Sequence, residues 1–288
     1  MAFSLGSHFP FLAAYWQPVL LAALAAAVVH LLLERRRART AAARPAPWRD
    51  ESVSESAVDP APPPPAEKTA ARVPYRPARL GADEMVRRAE QFYRELNGRR
   101  SVRHFSREPV PRAAVEAAIR AAGTAPSGAH TEPWTFVLVE SAEVKAAVRQ
   151  IVEDEERVNY EKRMGAQWVQ DLAPIGTDWR KEYLTEVPFL VLAFRHAYGV
   201  DERGERFTTY YNEISCHLAC GLLLAALHQA GLATLTSTPL NCGPRLRRLL
   251  ARPDNEKLVL LLPVGLPAAD CTVPDFRRKP LDKIMAVC

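Results

Sequence analysis

The sequence predicts an α+β domain over residues 75–288, preceded by a single membrane-spanning helix over residues 1–33 and a Pro/Ala-rich juxtamembrane linker over residues 34–74. Three observations carry this reading. No Asp, Glu, Lys or Arg occurs before Glu34, and the apolar run from Phe9 to Leu33 is long enough to cross a hydrocarbon layer of about 30 Å. The stretch from Thr40 to Pro77, with "APPPPAEK" at its centre, buries too little apolar surface to offset its ordering entropy, so it forms a semi-rigid tether. Beyond it, helix-period and strand-period segments mix without strict alternation, as in one packed α+β domain.

The anchor has an orientation. Tyr15 and Trp16 suit an interfacial position, "ERRRAR" follows the apolar run at once, and nothing positive precedes it. The positive-inside rule places the amino terminus outside and everything after Arg35 in the cytosol. The expectation is a single-pass protein of the plasma membrane or a vesicle membrane, with its folded domain cytosolic. A cleaved signal peptide would need a charged n-region, which is missing, and the arginine cluster resembles a stop-transfer signal. The net charge of +5 gives no hint of nucleic acid: the first fifty residues carry six arginines against two carboxylates, and residues 73–288 keep only +3. No basic helix or aromatic-interleaved basic sheet occurs. The five cysteines include no Cys-x-x-Cys pair. Cys216 and Cys220, one turn apart on an apolar helix, are expected to be small buried residues, with no metal site, in a reducing compartment.

Within the domain, "ADEMVRRAEQFYRELNG" opens with an acidic turn, sets Met85, Ala89, Phe92 and Leu96 on one face, and closes at Gly98. "PRAAVEAAIRAAG" predicts a helix from Pro111 to Gly123. "TFVLVE" is a buried strand, followed by a charged helix from about Ser141 to Lys162. "VPFLVLAFRH" is another strand. "YYNEISCHLACGLLLAALHQAG", apolar nearly all round, is expected as a central buried helix. Strand "ATLTST", helix "PRLRRLLA" and strand "KLVLLLPVG" complete the order.

The chemistry begins at "GRRSVRHFS", where Arg99, Arg100 and Arg103 crowd past a helix end. Guanidinium forks suit a phosphate or a delocalised anion. A second basic group lies at Arg277 to Lys279. Each alone would pass for a solvated charge run. No Gly-x-Gly-x-x-Gly and no Walker sequence is present, which removes those nucleotide folds. Between the two basic groups lies "GTAPSGAHTEPWTF", a helix cap leading through a Pro-Ser-Gly loop into a strand.

Together, the R-R-S-x-R entry, the P-S-x-x-x-x-x-P-W loop and the late "RRKPL" resemble the nitroreductase superfamily of FMN enzymes, and within it the branch that dehalogenates halotyrosines. The resemblance implies a mostly antiparallel central sheet flanked by helices, in a domain-swapped homodimer with the site at the interface. It implies that FMN is bound by Arg99, Arg100, Ser101, Val102, Arg103, Pro126, Ser127, Gly128, Thr236, Ser237, Thr238 and Arg278. The phosphate and the reduced ring are both anionic, which answers the arginine crowding. Thr236, Ser237 and Thr238 would otherwise pass for plain strand hydroxyls.

"VEDEERVNYEKR" is the most acidic run of the domain. Glu153, Asp154 and Glu155 are expected on a solvated face, whereas Glu156 and Tyr160, four apart, share another. The resemblance implies that Glu156, Tyr160 and Lys181 grip the ammonium and carboxylate of a free amino acid from a lid. Trp168 and Trp179 lie in that segment as core or as ring-covering residues alike. The resemblance further gives the Ala129 N–H to the substrate phenolate and the Thr238 hydroxyl to flavin N5, favouring stepwise electron transfer. The expected reaction is reductive dehalogenation of 3-iodotyrosine and 3,5-diiodotyrosine, recovering iodide from thyroid hormone by-products. NADPH is the expected ultimate reductant, delivered through a separate reductase. A general NAD(P)H-dependent nitro or quinone reductase and a tethered non-enzymatic flavin module are the competing readings.

Overall fold

The computed structural model describes His30 and residues 71–288, so the expected anchor over residues 1–33 and nearly all of the linker lie outside the described residues. Among the described residues no helix is long and apolar enough to cross a membrane.

The first helix, α1 (Ala82–Asn97), forms as the acidic first turn predicts, with Glu84 taking Arg87 at 2.7 Å and Arg88 at 2.6 Å. Its apolar face does not meet this chain's core: Met85 and Phe92 are more than half exposed, and no residue of the helix is buried. Helix α2 (Arg112–Ala122) starts after Pro111 and stops at Gly123, burying Val115, Ala118 and Ala122. Strand β1 (Trp134–Val139) leads to α3 (Ala142–Val158), whose first turn is capped by Ser141 Oγ accepting the Val144 N–H at 3.2 Å. The charged helix expected to reach Lys162 changes to a π turn over Asn159–Arg163. Helices α4 (Gly165–Leu172) and α5 (Tyr183–Glu186) follow.

Strand β2 (Phe189–His196) then enters the core. A hairpin of β3 (Gly199–Val200) and β4 (Arg206–Phe207), too short to show in the sequence pattern, leads to α6 (Asn212–Gln229). The last elements are β5 (Ala233–Thr234), α7 (Gly243–Leu249) and β6 (Glu256–Gly265).

The sheet order is β1-β2-β6-β5, with every neighbour antiparallel, and Ser101 adds a parallel bridge to Thr234 beyond the β5 edge. Alternation along β2 divides the core. Leu190, Leu192 and Phe194 pack with Val148, Val152 and Leu246 on one face, while Val191 and Ala193 meet Val115, Leu223 and Leu227 on the other.

Two expectations need correction. Only Ala233 and Thr234 of "ATLTST" pair as a strand; the ladder resumes for one pair at Ser237, which exchanges hydrogen bonds of 3.0 and 2.9 Å with Leu261. Pro239 brings no N–H to continue it. Helix α6 is not buried all round: Ser215, Cys216, Ala219, Cys220, Leu223 and Leu227 face the core, but Ile214, Leu218 and Leu222 are 52%, 49% and 40% exposed. In this chain the apolar back of α6 faces outwards.

Candidate active site

The turn after α1 builds an anion cradle. The Val102 N–H donates to Thr234 O at 3.2 Å and the buried Val102 side chain joins the core, so the flanking side chains are set by the β5 edge. Arg99, Arg100, Ser101 and Arg103 line a cavity of about 290 Å³ together with Arg277, Arg278, Ile175, Val273 and Phe276. Arg278 fastens the carboxyl-terminal tail to the end of α1, donating to Asn97 O and Oδ1 at 2.8 and 2.9 Å and to Arg99 O at 2.8 Å. Arg100 donates to Pro274 O. Among the described residues none of these five arginines is paired with a carboxylate. Burial, and then the like charges of Arg278 and Arg100, push Arg99 below the usual guanidinium range. A site that concentrates uncompensated cations in this way is complementary to a phosphate or an anionic ring.

Beside it, residues distant in sequence converge. Glu156 and Lys181 are both buried, 7% and 6% exposed, with Lys181 Nζ 3.9 Å from Glu156 Oε2. Lys181 Nζ also donates to Thr177 Oγ1 at 3.3 Å and to Asp178 O, and lies 5.6 Å from the centre of the Tyr160 ring. Asn159 Nδ2 donates to Glu156 Oε1 at 3.3 Å. Burial holds Lys181 below the usual lysine range, with Glu156 the strongest opposing influence. Burial raises the Tyr160 phenol, against a hydrogen bond with Thr177. Arg103 lines the cradle and also the cavity lined by Thr177 and Asp178, the acceptors of Lys181, so the cradle and this trio are neighbours. Arg103, Thr177 and Asp178 also line an adjoining polar cavity of about 410 Å³.

The trio is therefore a buried acid and base with a half-buried phenol packed against the base. Trp179 lies near the guanidiniums of Arg180 and Arg157, at 5.3 and 6.0 Å, and Trp168 is exposed.

Glu153 does not sit on a solvated face as expected. It accepts Arg149 Nε at 2.8 Å and the Lys181 N–H at 2.7 Å. Asp154 pairs with Arg245 at 3.3 Å and Glu155 with Arg163 at 2.9 Å.

The Pro126–Ala129 loop is strained. Ala129, His130 and Glu132 all take left-handed backbone, at φ 50°, 55° and 44°. Ser127 Oγ accepts the Glu132 N–H at 2.9 Å, His130 donates to Ser127 O at 3.1 Å, and Thr131 to Gly128 O at 3.2 Å. Gly128 lies against Tyr210, where an added Cβ would be 2.7 Å from the carbonyl oxygen.

This loop does not line the arginine cavity, and the sheet register explains why. Trp134, where the loop joins β1, is level with Arg195 and Lys257, whereas Ser101 is level with Thr234 and Val264. At about 4.8 Å per strand and 3.3 Å per residue, the two sit at diagonally opposite corners, more than about 20 Å apart. Helix α6 measures the same separation. Gly128 packs on Tyr210 just before the helix begins, and His228 in its last turn bonds Glu95 O of α1 at 2.7 Å. Eighteen residues at about 1.5 Å each give roughly 27 Å. Thr238 lies apart from both corners, lining a third cavity with Leu240, Leu258 and Val259. Thr236 is exposed, and Ser237 is held by Leu261.

Glu153 and Thr177 carried no signal in the sequence, since each acts on Lys181 only through the fold. Arg277 did carry one, as the neighbour of Arg278.

Known proteins resemble this chain in both sequence and fold. The model of the "Nitroreductase family" matches residues 96–266. An iodotyrosine deiodinase of Hydra vulgaris is 55% identical over 213 residues, covering 74% of this chain and 78% of that protein. Iodotyrosine deiodinase 1 of Homo sapiens is 55% identical over 219 residues, covering 76% of each. A crystal structure of oxidised iodotyrosine deiodinase bound to FMN and 3-iodo-L-tyrosine superposes with a TM-score of 0.58 at 30% identity, covering 66% of this chain and 96% of that one. A nitroreductase with bound FMN from Bacteroides fragilis, at 20% identity and a TM-score of 0.52 over 68% of this chain and 98% of its own, shares the fold.

Proposed function

This chain belongs to the nitroreductase family, and on that premise we propose that it removes iodide reductively from 3-iodotyrosine and 3,5-diiodotyrosine with FMN in the arginine cavity. The observation that carries the reading is the buried pair of Glu156 and Lys181 with the half-buried Tyr160 against it. A general reductase of nitro compounds or quinones has no use for a buried acid and base, which are costly unless something pairs with both. A free amino acid does. Its ammonium takes Glu156, its carboxylate takes Lys181 and the Tyr160 hydroxyl, and the pair that Glu156 and Lys181 make with each other is exchanged for two pairs with the substrate.

The cradle fits FMN by its donor set: Arg99, Arg100, Arg103 and Arg278 offer guanidinium forks, and Ser101 a hydroxyl, with Ile175, Val273 and Phe276 as apolar lining. When bound there, FMN supplies electrons one or two at a time. The chain's residues do the rest. The Ala129 N–H faces the phenolate, whose ionisation the ortho iodine promotes. With the phenolate held, a proton is taken up at the iodine-bearing carbon, two electrons enter, and iodide leaves, giving tyrosine.

The site is shared between two copies of the chain. Pro126–Ala129 and the cradle lie at opposite ends of α6 within one chain, and the outward stripe of Ile214, Leu218 and Leu222 runs between them. A two-fold partner packed on that stripe, its α6 antiparallel, brings its loop corner to this chain's cradle and the reverse. The exposed Met85, Val86, Phe92 and Tyr93 of α1 and Leu281, Ile284 and Met285 of the tail provide the swapped contacts. The remaining parts of the proposal are the membrane anchor over residues 9–33, the cytosolic domain, iodide salvage in thyroid hormone metabolism, and a separate NADPH-dependent reductase as electron donor.

The test uses the full chain, loaded with FMN and reduced with dithionite without oxygen. Diiodotyrosine is added to one sample and a nitroaromatic to another. Flavin reoxidation with free iodide in the first supports the reading; reoxidation by the nitroaromatic alone overturns it.

A further inference from the structure

We infer that Glu153 is a positioning residue that gives this site its preference for free amino acids over halophenols, acting through Lys181. The inference rests on the reading of Glu156, Tyr160 and Lys181 as the clamp for the substrate's charged end.

The lid leaves α3 at Asn159 and the chain returns at Lys181. The departure is fixed by helix geometry, but the return needs a fastening, and Glu153 provides it. Its Oε1 accepts the Lys181 N–H at 2.7 Å and Arg149 Nε at 2.8 Å. Arg149 Nη1 reaches on to Thr185 Oγ1 at 3.0 Å, and Thr185 Oγ1 donates to Glu182 O at 3.0 Å. Two of these bonds, Lys181 N–H to Glu153 and Arg149 to Thr185, tie residues 181–185 to α3, and the other two brace their ends; Glu153 itself lies three residues from Glu156 on a neighbouring position of the same helix. The Glu153 side chain is only 16% exposed. It lines neither the arginine cavity nor the polar one, so it touches no bound molecule there.

The consequence is specific to one end of the substrate. Releasing the Lys181 main chain frees the ammonium that meets the carboxylate, while the cradle and the Pro126–Ala129 loop are held by other bonds. A substrate without the amino-acid end, such as 2-iodophenol, does not use Lys181.

The test compares Glu153→Ala and Glu153→Gln in the full-length holoenzyme. For Glu153→Ala, the ratio of kcat/KM for 3-iodotyrosine to that for 2-iodophenol falls roughly tenfold, through a raised KM for iodotyrosine, as expected for a lost charge-assisted hydrogen bond. Glu153→Gln keeps a carbonyl to accept the Lys181 N–H and recovers most of the ratio. Hydrogen exchange at the Lys181 amide, read without any substrate, is fast in the alanine variant and slow in the glutamine variant. Equal losses for both substrates, or an unchanged Lys181 exchange rate, would overturn the inference. If the wild type itself shows no preference for iodotyrosine over iodophenol, the clamp reading falls, and the exchange rate alone decides whether Glu153 holds Lys181.

Discussion

Replacing Glu156 by Gln removes one charge from a buried pair and leaves the other in place. At 3.9 Å and an effective dielectric constant near 20, the gross attraction lost is about 4 kcal/mol. Lys181 keeps Thr177 Oγ1 and Asp178 O as acceptors, so the net loss of stability at neutral pH is smaller, about 2–3 kcal/mol. The pH dependence has a definite sign. Burial already holds Lys181 below its unfolded pKa and Glu156 opposes that shift, so Gln at 156 lowers it further. A lysine depressed in the folded state sheds its proton there first, so stability rises with pH from the folded value up to about 10.4. Urea unfolding of both proteins at pH 7 and near pH 10 should therefore show the deficit of Glu156→Gln shrinking at the higher pH. The substrate senses the same change: losing the ammonium's partner raises the diiodotyrosine Kd between about tenfold and a hundredfold, with FMN still bound. An unchanged Kd would refute the clamp, and a deficit constant with pH would refute the account of Lys181.

Arg278→Ala removes the three hydrogen bonds to Asn97 and Arg99 and one charge of the cradle, so the FMN Kd should rise at least about tenfold in a fluorescence titration; an unchanged Kd would remove it from the site. Gly128→Ala puts a Cβ 2.7 Å from the Tyr210 carbonyl and should cost about 1–3 kcal/mol, seen as a lower Tm, whereas an equal Tm would mean the loop has room. Glu256 is buried, which alone would raise its carboxyl, but the Arg252 fork and the Thr135 hydroxyl outweigh burial and hold it below the usual range. Its stabilising contribution is complete above about pH 4.3 and is lost as pH falls through the folded value. Glu256→Gln should flatten the acid limb of the stability curve, and an equally steep limb would place that sensitivity elsewhere.

Local rules in the sequence located most elements. The acidic turn of α1, Pro111 and Gly123 around α2, and the apolar runs of β1, β2 and β6 all lie where the pattern put them. The failures have one physical source. Apolar composition along α6 does not say which face this chain's core covers, so Ile214, Leu218 and Leu222 looked like core. The acidity of α3 suggested a wet face because the acceptor role of Glu153 depends on the Lys181 main chain, twenty-eight positions on. The arginines stood out as a charge cluster, whereas the trio was singled out only through the family resemblance. Their adjacency, and the distance of the loop from the cradle, come from strand register, which residue types do not encode.

The diagonal placement of loop and cradle also bears on inheritance. If two copies pair as proposed, with one shared site at each end, a chain whose lesion at Gly128 abolishes activity and a chain whose lesion at Arg278 does so are not equivalent failures. In a mixed pair, one site collects both lesions and the other collects none. Two defective alleles expressed together would restore about a quarter of normal turnover if the chains assort at random, although either alone gives nothing. Two lesions in the same corner could not rescue each other in this way.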